Sequence, residues 1–118
     1  MTDGDKDAKR LEHMLGAAER ATRFAGTGLD AFVASELVQS AVIHQLLILG
    51  EAAKAVNRET RERFADLPWR EMMRMRDVLI HHYHGVRLDI VWGVVRDELP
   101  VLLAELPDII ASATANRS

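Results

Sequence analysis

The sequence predicts an all-α fold, an up-and-down bundle of four to five helices, on three observations. Runs rich in Ala, Leu, Glu and Arg fill the chain, apolar residues recur at helical spacing, and no stretch alternates with the period of two that a strand requires. With 118 residues, 48% of them hydrophobic, the chain is the size of one domain spanning 1–118, with enough apolar material for its own core. The absence of cysteine excludes a disulfide framework and thiol chemistry. A net charge of -3 argues against coating nucleic acid by bulk charge, so any anion must be met by a local basic patch. No basic-apolar leader opens the sequence and no apolar run of about 18 residues is free of charge. The expectation is a soluble, cytoplasmic protein without a membrane span.

The first helix is expected from about Asp5 to Ala25, with Leu11, Leu15, Ala18 and Thr22 on one face, stopping at the glycines of AGTG. A short turn follows around Leu29 to Ala34. The second helix, from about Ser35 to Asn57, carries Val38, Ala41, Val42, Gln45, Leu49, Ala52 and Val56 as its core stripe. Its back is also apolar, through Ile43, Leu47 and Gly50, so the helix is either central or offers a second face to another chain. The polar stretch NRETRERFAD leads to Asp66 as N-cap and to Pro68 just inside a third helix that ends near Gly85. A fourth helix begins around Asp89, buries Val91, Val95, Leu99, Leu102 and Leu106, and is bent or interrupted at Pro100, which lacks the amide that would bond back toward Arg96.

The third helix holds the chemistry. At about 100° per residue, Met72, Met73, Arg76, Leu79, Ile80 and Tyr83 share one narrow stripe with Arg76 at its centre. A guanidinium there must meet a carboxylate, open into a cleft or face a phosphate, because its five donors and fixed charge are costly to bury alone. Glu51 is a candidate partner if the back of the second helix meets the third. Asp77 stands one turn before His81, where it can orient the imidazole, and the helix C-terminus favours a cation at that position. RNA carries its own nucleophile, the 2′-hydroxyl, so cleavage needs a base, an acid and a cation on the phosphate. Arg76, His81 and either Tyr83 or a second histidine, His82 or His84, supply those groups without metal or cofactor. One straight helix cannot focus them all, since His81 is turned by about 140° from Arg76. Either the helix loosens or two chains share a groove as a homodimer. Arg70, Arg74 and Arg87 add a local excess of positive charge for RNA phosphates. His81 and His84 have metal-ligand spacing but lack an evident third ligand, so no metal site is expected.

Arg76, four residues, His81, one residue and Tyr83 match the signature of the HepT-like branch of the HEPN superfamily, which this chain resembles. The likeness extends through LGEAAKAV, LPWREMMRMRDVLIHHYHGVRLDIVWGVV and DELPVLL, in order over nearly the whole sequence. The resemblance implies a homodimeric helical bundle and a metal-independent endoribonuclease, the toxin of a two-gene module whose partner antitoxin is an MntA-like nucleotidyltransferase. By position it implies that Arg76 binds phosphate, His81 is the acid/base residue and Tyr83 is the hydroxyl that receives AMP. Asp77 stands where relatives often carry asparagine, and Arg87 where they often carry an acid.

Overall fold

The computed structural model describes residues 3–26, 28–81 and 85–115. Among them there is no strand; the chain forms α1 (Asp3–Ala25), α2 (Leu29–Ala34), α3 (Glu36–Ala55), α4 (Arg58–Arg63), α5 (Trp69–His81), α6 (Leu88–Gly93), a π-helical segment (Val94–Glu98) and α7 (Leu99–Ala115). Helix α1 packs against both α3 and α7, and α3 packs against α5. The result is an elongated all-α bundle of 49 × 28 × 23 Å. No described helix is long and apolar enough to cross a membrane.

The face of α1 is set differently from its expected stripe. Leu11, Met14, Ala17, Ala18, Ala21 and Ala25 are buried, Leu15 is half-buried and Thr22 is exposed. The alanines keep this face thin, which lets α3 and α7 approach the same helix from two sides. The helix stops at Gly26, whose φ of 72° is the left-handed conformation that closes helices and that glycine adopts without a steric penalty.

The segment expected as a turn after Gly28 is instead a short helix, α2, anchored by Phe32, which is buried and lies 5.4 Å from the ring of Trp92. Ser35 separates α2 from α3 and caps the latter, its Oγ accepting from the Val38 amide at 3.1 Å. The Gln39 side-chain amide donates to the carbonyls of Phe32 and Val33, so orphan acceptors at the end of α2 are satisfied from α3.

The polar NRETRERFAD stretch also contains a helix, α4. Its start is fixed by a residue not singled out in the sequence: the buried carboxylate of Asp7, on α1, accepts from the Asn57 amide at 3.1 Å and the Thr60 hydroxyl at 2.6 Å, and pairs with Arg10 at 3.2 Å. A carboxylate from another helix thus caps α4 and fixes where the chain turns toward α5. Pro68 lies at the boundary of α5, its carbonyl accepting from Met72, and Trp69 is buried with its indole N–H on the Phe64 carbonyl.

The disturbance expected at Pro100 takes the form of the π-helical segment. The Leu99 amide reaches back to Val94, a widened turn that passes the position where Pro100 has no N–H to give. Beyond it Leu99, Leu102 and Leu106 are fully buried, as expected, while Val95 is only half-buried. Pro107 also lies within α7, on its exposed side.

Candidate active site

Helices α3 and α5 form the site, and a glycine governs their spacing. A Cβ built at Gly50 would collide with Cβ of Arg76 and come within 3.0 Å of the Met72 carbonyl oxygen. The missing side chain therefore lets the two backbones approach at this level. Gly50, placed by periodicity on the back of its helix, is buried against α5.

This contact also sets the rotation of α5. Its buried residues are Trp69, Met72, Met75 and Leu79, while Met73 is half-buried and Ile80 is 44% exposed. The centre of the core stripe is thus turned away from Arg76, which sits at its edge rather than in its middle. With a side-chain exposure of 19%, Arg76 is neither sealed in nor freely solvated.

Glu51 holds that arginine, because the back of α3 does meet α5. The Arg76 Nε donates to Glu51 Oε1 at 3.1 Å, with Nη2 in ion-pair contact with the same oxygen at 3.0 Å, and Nη1 donates to Asp77 Oδ1 at 3.0 Å. Among the described residues two of the five guanidinium N–H groups are hydrogen-bonded and three are not. Both carboxylates are more than half exposed, so each pair contributes at most about 1 kcal/mol and opens at little cost when a stronger anion arrives. Asp77 accordingly contacts Arg76; it makes no hydrogen bond to His81 among the described residues.

His81 is the last residue of α5 and is exposed. Five residues of ideal helix place it about 7.5 Å along the axis from Arg76 and about 140° around it, so one chain does not focus both side chains on one atom. His82, Tyr83 and His84 lie outside the described residues. Arg70 and Arg74 are exposed on α5 and form no ion pair among the described residues. Arg87 is engaged by Asp89 in a two-pronged pair at 3.2 and 2.7 Å, so its charge at the rim is largely balanced.

A groove of about 460 Å³ runs beside the site along α3, lined by Glu36, Gln39, Ser40, Ile43, His44, Leu47 and Val86. Val86 belongs to the chain leaving α5, and Leu47 is one turn before Glu51, so the groove ends about one helical turn short of the arginine clamp. The sequence signalled its apolar members Ile43 and Leu47. Its polar members, Gln39, Ser40 and His44, went unremarked because nothing in their spacing sets them apart from a solvated helix face.

The profile of one family, described as "Ribonuclease HepT-like", matches residues 14–109, which include both helices of this site and its Arg76 and His81. The chain belongs to the HepT-like ribonuclease family. Its relatives include "Putative RNase TTE0752" of Caldanaerobacter subterraneus, 37% identical over 101 residues that cover 85% of this chain and 90% of that one. "Probable ribonuclease HepT" of Thermococcus cleftensis is 42% identical over 73 residues, 62% of this chain and 66% of its own. "Gamma-glutamylcyclotransferase and putative RNase MJ0434" of Methanocaldococcus jannaschii is 36% identical over 115 residues; the match takes in 96% of this HepT-like chain but spans about half, 52%, of the Methanocaldococcus protein. No solved structure matches the chain.

Proposed function

We propose that this protein is a metal-independent endoribonuclease that cuts RNA in a cleft shared by two copies, acting as the toxin of a module whose antitoxin is an MntA-like nucleotidyltransferase. One observation carries the reading: a part-buried arginine, held in place by two exposed carboxylates and with three N–H groups to spare among the described residues, lies little more than a turn from an exposed histidine at a helix end. Family membership and the RNase names of the relatives support the same substrate class.

In this reading a phosphodiester takes the spare donors of Arg76 and displaces one carboxylate. The gain is electrostatic, because charge accumulates on the phosphate oxygens as the neighbouring 2′-hydroxyl attacks phosphorus. That hydroxyl gives its proton to a base as the new P–O bond forms; the bond to the 5′-oxygen breaks, and that oxygen takes a proton from an acid. His81 is assigned one of these two proton transfers. The other falls to Tyr83 or to a histidine beside it, His82 or His84, from either copy. Arg70 and Arg74 guide the strand, and Arg87 joins them once Asp89 is displaced.

Purified protein incubated with RNA in EDTA should cut it, and His81→Ala should lose at least about 100-fold in rate, the usual scale of a lost acid or base. Equal cutting by both would end the proposal.

The occupation of Arg76 by both Glu51 and Asp77 favours a second reading, a weakly active or non-catalytic partner that the nucleotidyltransferase modifies with AMP on Tyr83. Co-expression of the two proteins should then add AMP-sized mass increments that Tyr83→Phe abolishes. An unchanged mass would count against it.

A further inference from the structure

We infer that α1 carries a track for the phosphates of an RNA strand, running from Lys6 to Arg20 on the other flank of α3 from Arg76 and anchored where Arg20 meets Gln45. The inference rests on the ribonuclease reading above and extends its contact with the strand beyond the arginine clamp.

The anchor is a cation that is oriented but not neutralised. Arg20 is half-buried in the seam between α1 and α3, and its Nε donates to the side-chain carbonyl of Gln45 at 2.8 Å. The other four of its five N–H groups make no hydrogen bond among the described residues. Arg10, Arg58, Arg76, Arg87 and Arg96 each pair with a carboxylate, whereas Arg20 meets none among the described residues. A guanidinium taken partly out of water without an acid is costly, and an anion docked on its free donors offsets that cost.

Two further features build the spot. Gly16, one turn before Arg20, lets the guanidinium fold back against the helix, since a Cβ built there would come within 3.2 Å of Nη1. Gln45 is only 7% exposed, and its side-chain nitrogen, which carries two more donors, has no acceptor among the described residues. Buried amide donors are nearly always satisfied, so donors of two adjacent side chains stand here without an acceptor.

The anchor ends a longer cationic stripe, and its length points to a polymer. At about 100° per residue Lys6, Lys9, His13 and Arg20 fall within about 60° of one another on α1, and no acidic residue falls within that stripe. Lys6, Lys9 and His13 are exposed and, like Arg20, make no ion pair among the described residues. The rise from Lys6 to Arg20 is about 21 Å. A single small anion would fill a fraction of that length, whereas a polynucleotide brings a charge with every phosphate along it. One turn past Arg20, the half-buried Phe24 lies on the same face with the Arg23 guanidinium 5.2 Å from its ring centre, an aromatic surface of the kind on which unpaired bases stack.

The packing separates this track from the clamp. Asp7 meets Asn57 and Arg20 meets Gln45, so α1 runs antiparallel to α3. Arg76 reaches α3 at Gly50 from α5, and Arg20 reaches it at Gln45, about 7.5 Å along the axis and about 140° around it. The two guanidinium groups therefore hold different phosphates, one where the strand is cut and one where it is carried over α1.

Fluorescence anisotropy of the full chain with a single-stranded, 2′-O-methylated RNA tests the track, because that probe lacks the attacking hydroxyl and stays whole. On a single strand the log of the association constant falls against the log of salt by about 0.7 per phosphate contact. Arg20→Ala should weaken binding about fivefold at low salt and take about 0.7 from that slope, and the double variant Lys6→Ala, Lys9→Ala should take about twice as much. Arg20→Lys should keep most of the slope. Gln45→Glu, which preserves the shape but hands Arg20 a carboxylate, should flatten the slope as Arg20→Ala does, with folding verified by circular dichroism. Arg96→Ala removes the same charge from a pair with Asp97 and should leave the slope as in wild type. Slopes unchanged by Arg20→Ala and by the lysine pair overturn the inference, and a loss of polyglutamate binding in those variants would then give the stripe to acidic protein. A wild-type slope in folded Gln45→Glu overturns the anchor, and equal flattening in Arg96→Ala overturns the track, because net charge alone then explains the effect. Failure of the nuclease reading looks different. A wild type that leaves unmodified RNA whole while the slopes change as stated keeps the track, and one that cuts while they do not keeps only the nuclease.

Discussion

Gly50→Ala should destabilise the protein, against the usual effect of that substitution. In an ordinary helix interior the exchange gains roughly 0.5–1 kcal/mol, because alanine loses less backbone freedom on folding. Here the added methyl meets Cβ of Arg76, the Met72 carbonyl oxygen at 3.0 Å and Cγ of Arg76 at 3.2 Å. Two of those three atoms are fixed to the α5 backbone and cannot swing aside, so the helices must separate. Forcing a methyl into a packed contact costs about 1–3 kcal/mol, and subtracting the propensity gain from the middle of that range leaves a net loss of roughly 1 kcal/mol. With a urea slope of about 1.5 kcal/mol per molar, the midpoint should fall by about 0.7 M. Urea unfolding followed by circular dichroism measures it directly. An unchanged or raised midpoint would show that α3 and α5 are not in contact at Gly50, and the positioning of Arg76 would lose its basis.

Removal of the Asp7 carboxylate in Asp7→Ala should cost about 2–3 kcal/mol in the same assay, since the Asn57 amide and Thr60 hydroxyl lose a charged acceptor in a buried setting; a loss below 0.5 kcal/mol, the ordinary scale of a surface change, would contradict its capping role. Burial, and then the charges of Glu71 and Asp97, hold the carboxyl of Glu98 above the ordinary carboxylate range. Its folded form thus binds a proton more readily than the unfolded chain, so stability rises as pH falls through the raised value and Glu98 opposes folding at neutral pH. Glu98→Gln should be slightly more stable than wild type at pH 7, by no more than about 0.5 kcal/mol given its partial exposure, and the difference should vanish toward pH 4; a variant less stable at pH 7 would reverse the sign. Asp77→Asn should tighten RNA binding roughly three- to fivefold at low salt, because one charge about 4 Å from a bound phosphate is worth about 1 kcal/mol in water. Weaker binding in a filter assay would mean that Asp77 supports Arg76 more than it repels the strand.

The helices could be read from the sequence wherever a long apolar period ran through them, as in α1, α3, α5 and α7, and the Arg76 and His81 signature came with them. The short helices α2 and α4 were not legible. Each is six residues long, too short to show a period, and each owes its existence to contacts from elsewhere, Phe32 in the core for one and Asp7 across the bundle for the other. Rotation was the other loss. Periodicity places Arg76, Ile80 and Leu79 on one stripe, but the close approach at Gly50 decides which edge of that stripe faces the core. Glu51 shows the same limit, since its pairing with Arg76 depends on the meeting of two helix faces that no local pattern encodes.

The central claim is that Arg76 holds a phosphate where His81 can move a proton. Single-turnover cleavage of RNA in EDTA, compared among wild type, Arg76→Ala and His81→Ala with folding verified for each, tests it most directly. Cutting is expected from the wild type alone, with 2′,3′-cyclic phosphate ends as the mark of attack by the 2′-hydroxyl. Cutting that survives both substitutions, or that leaves 3′-hydroxyl ends, would contradict it.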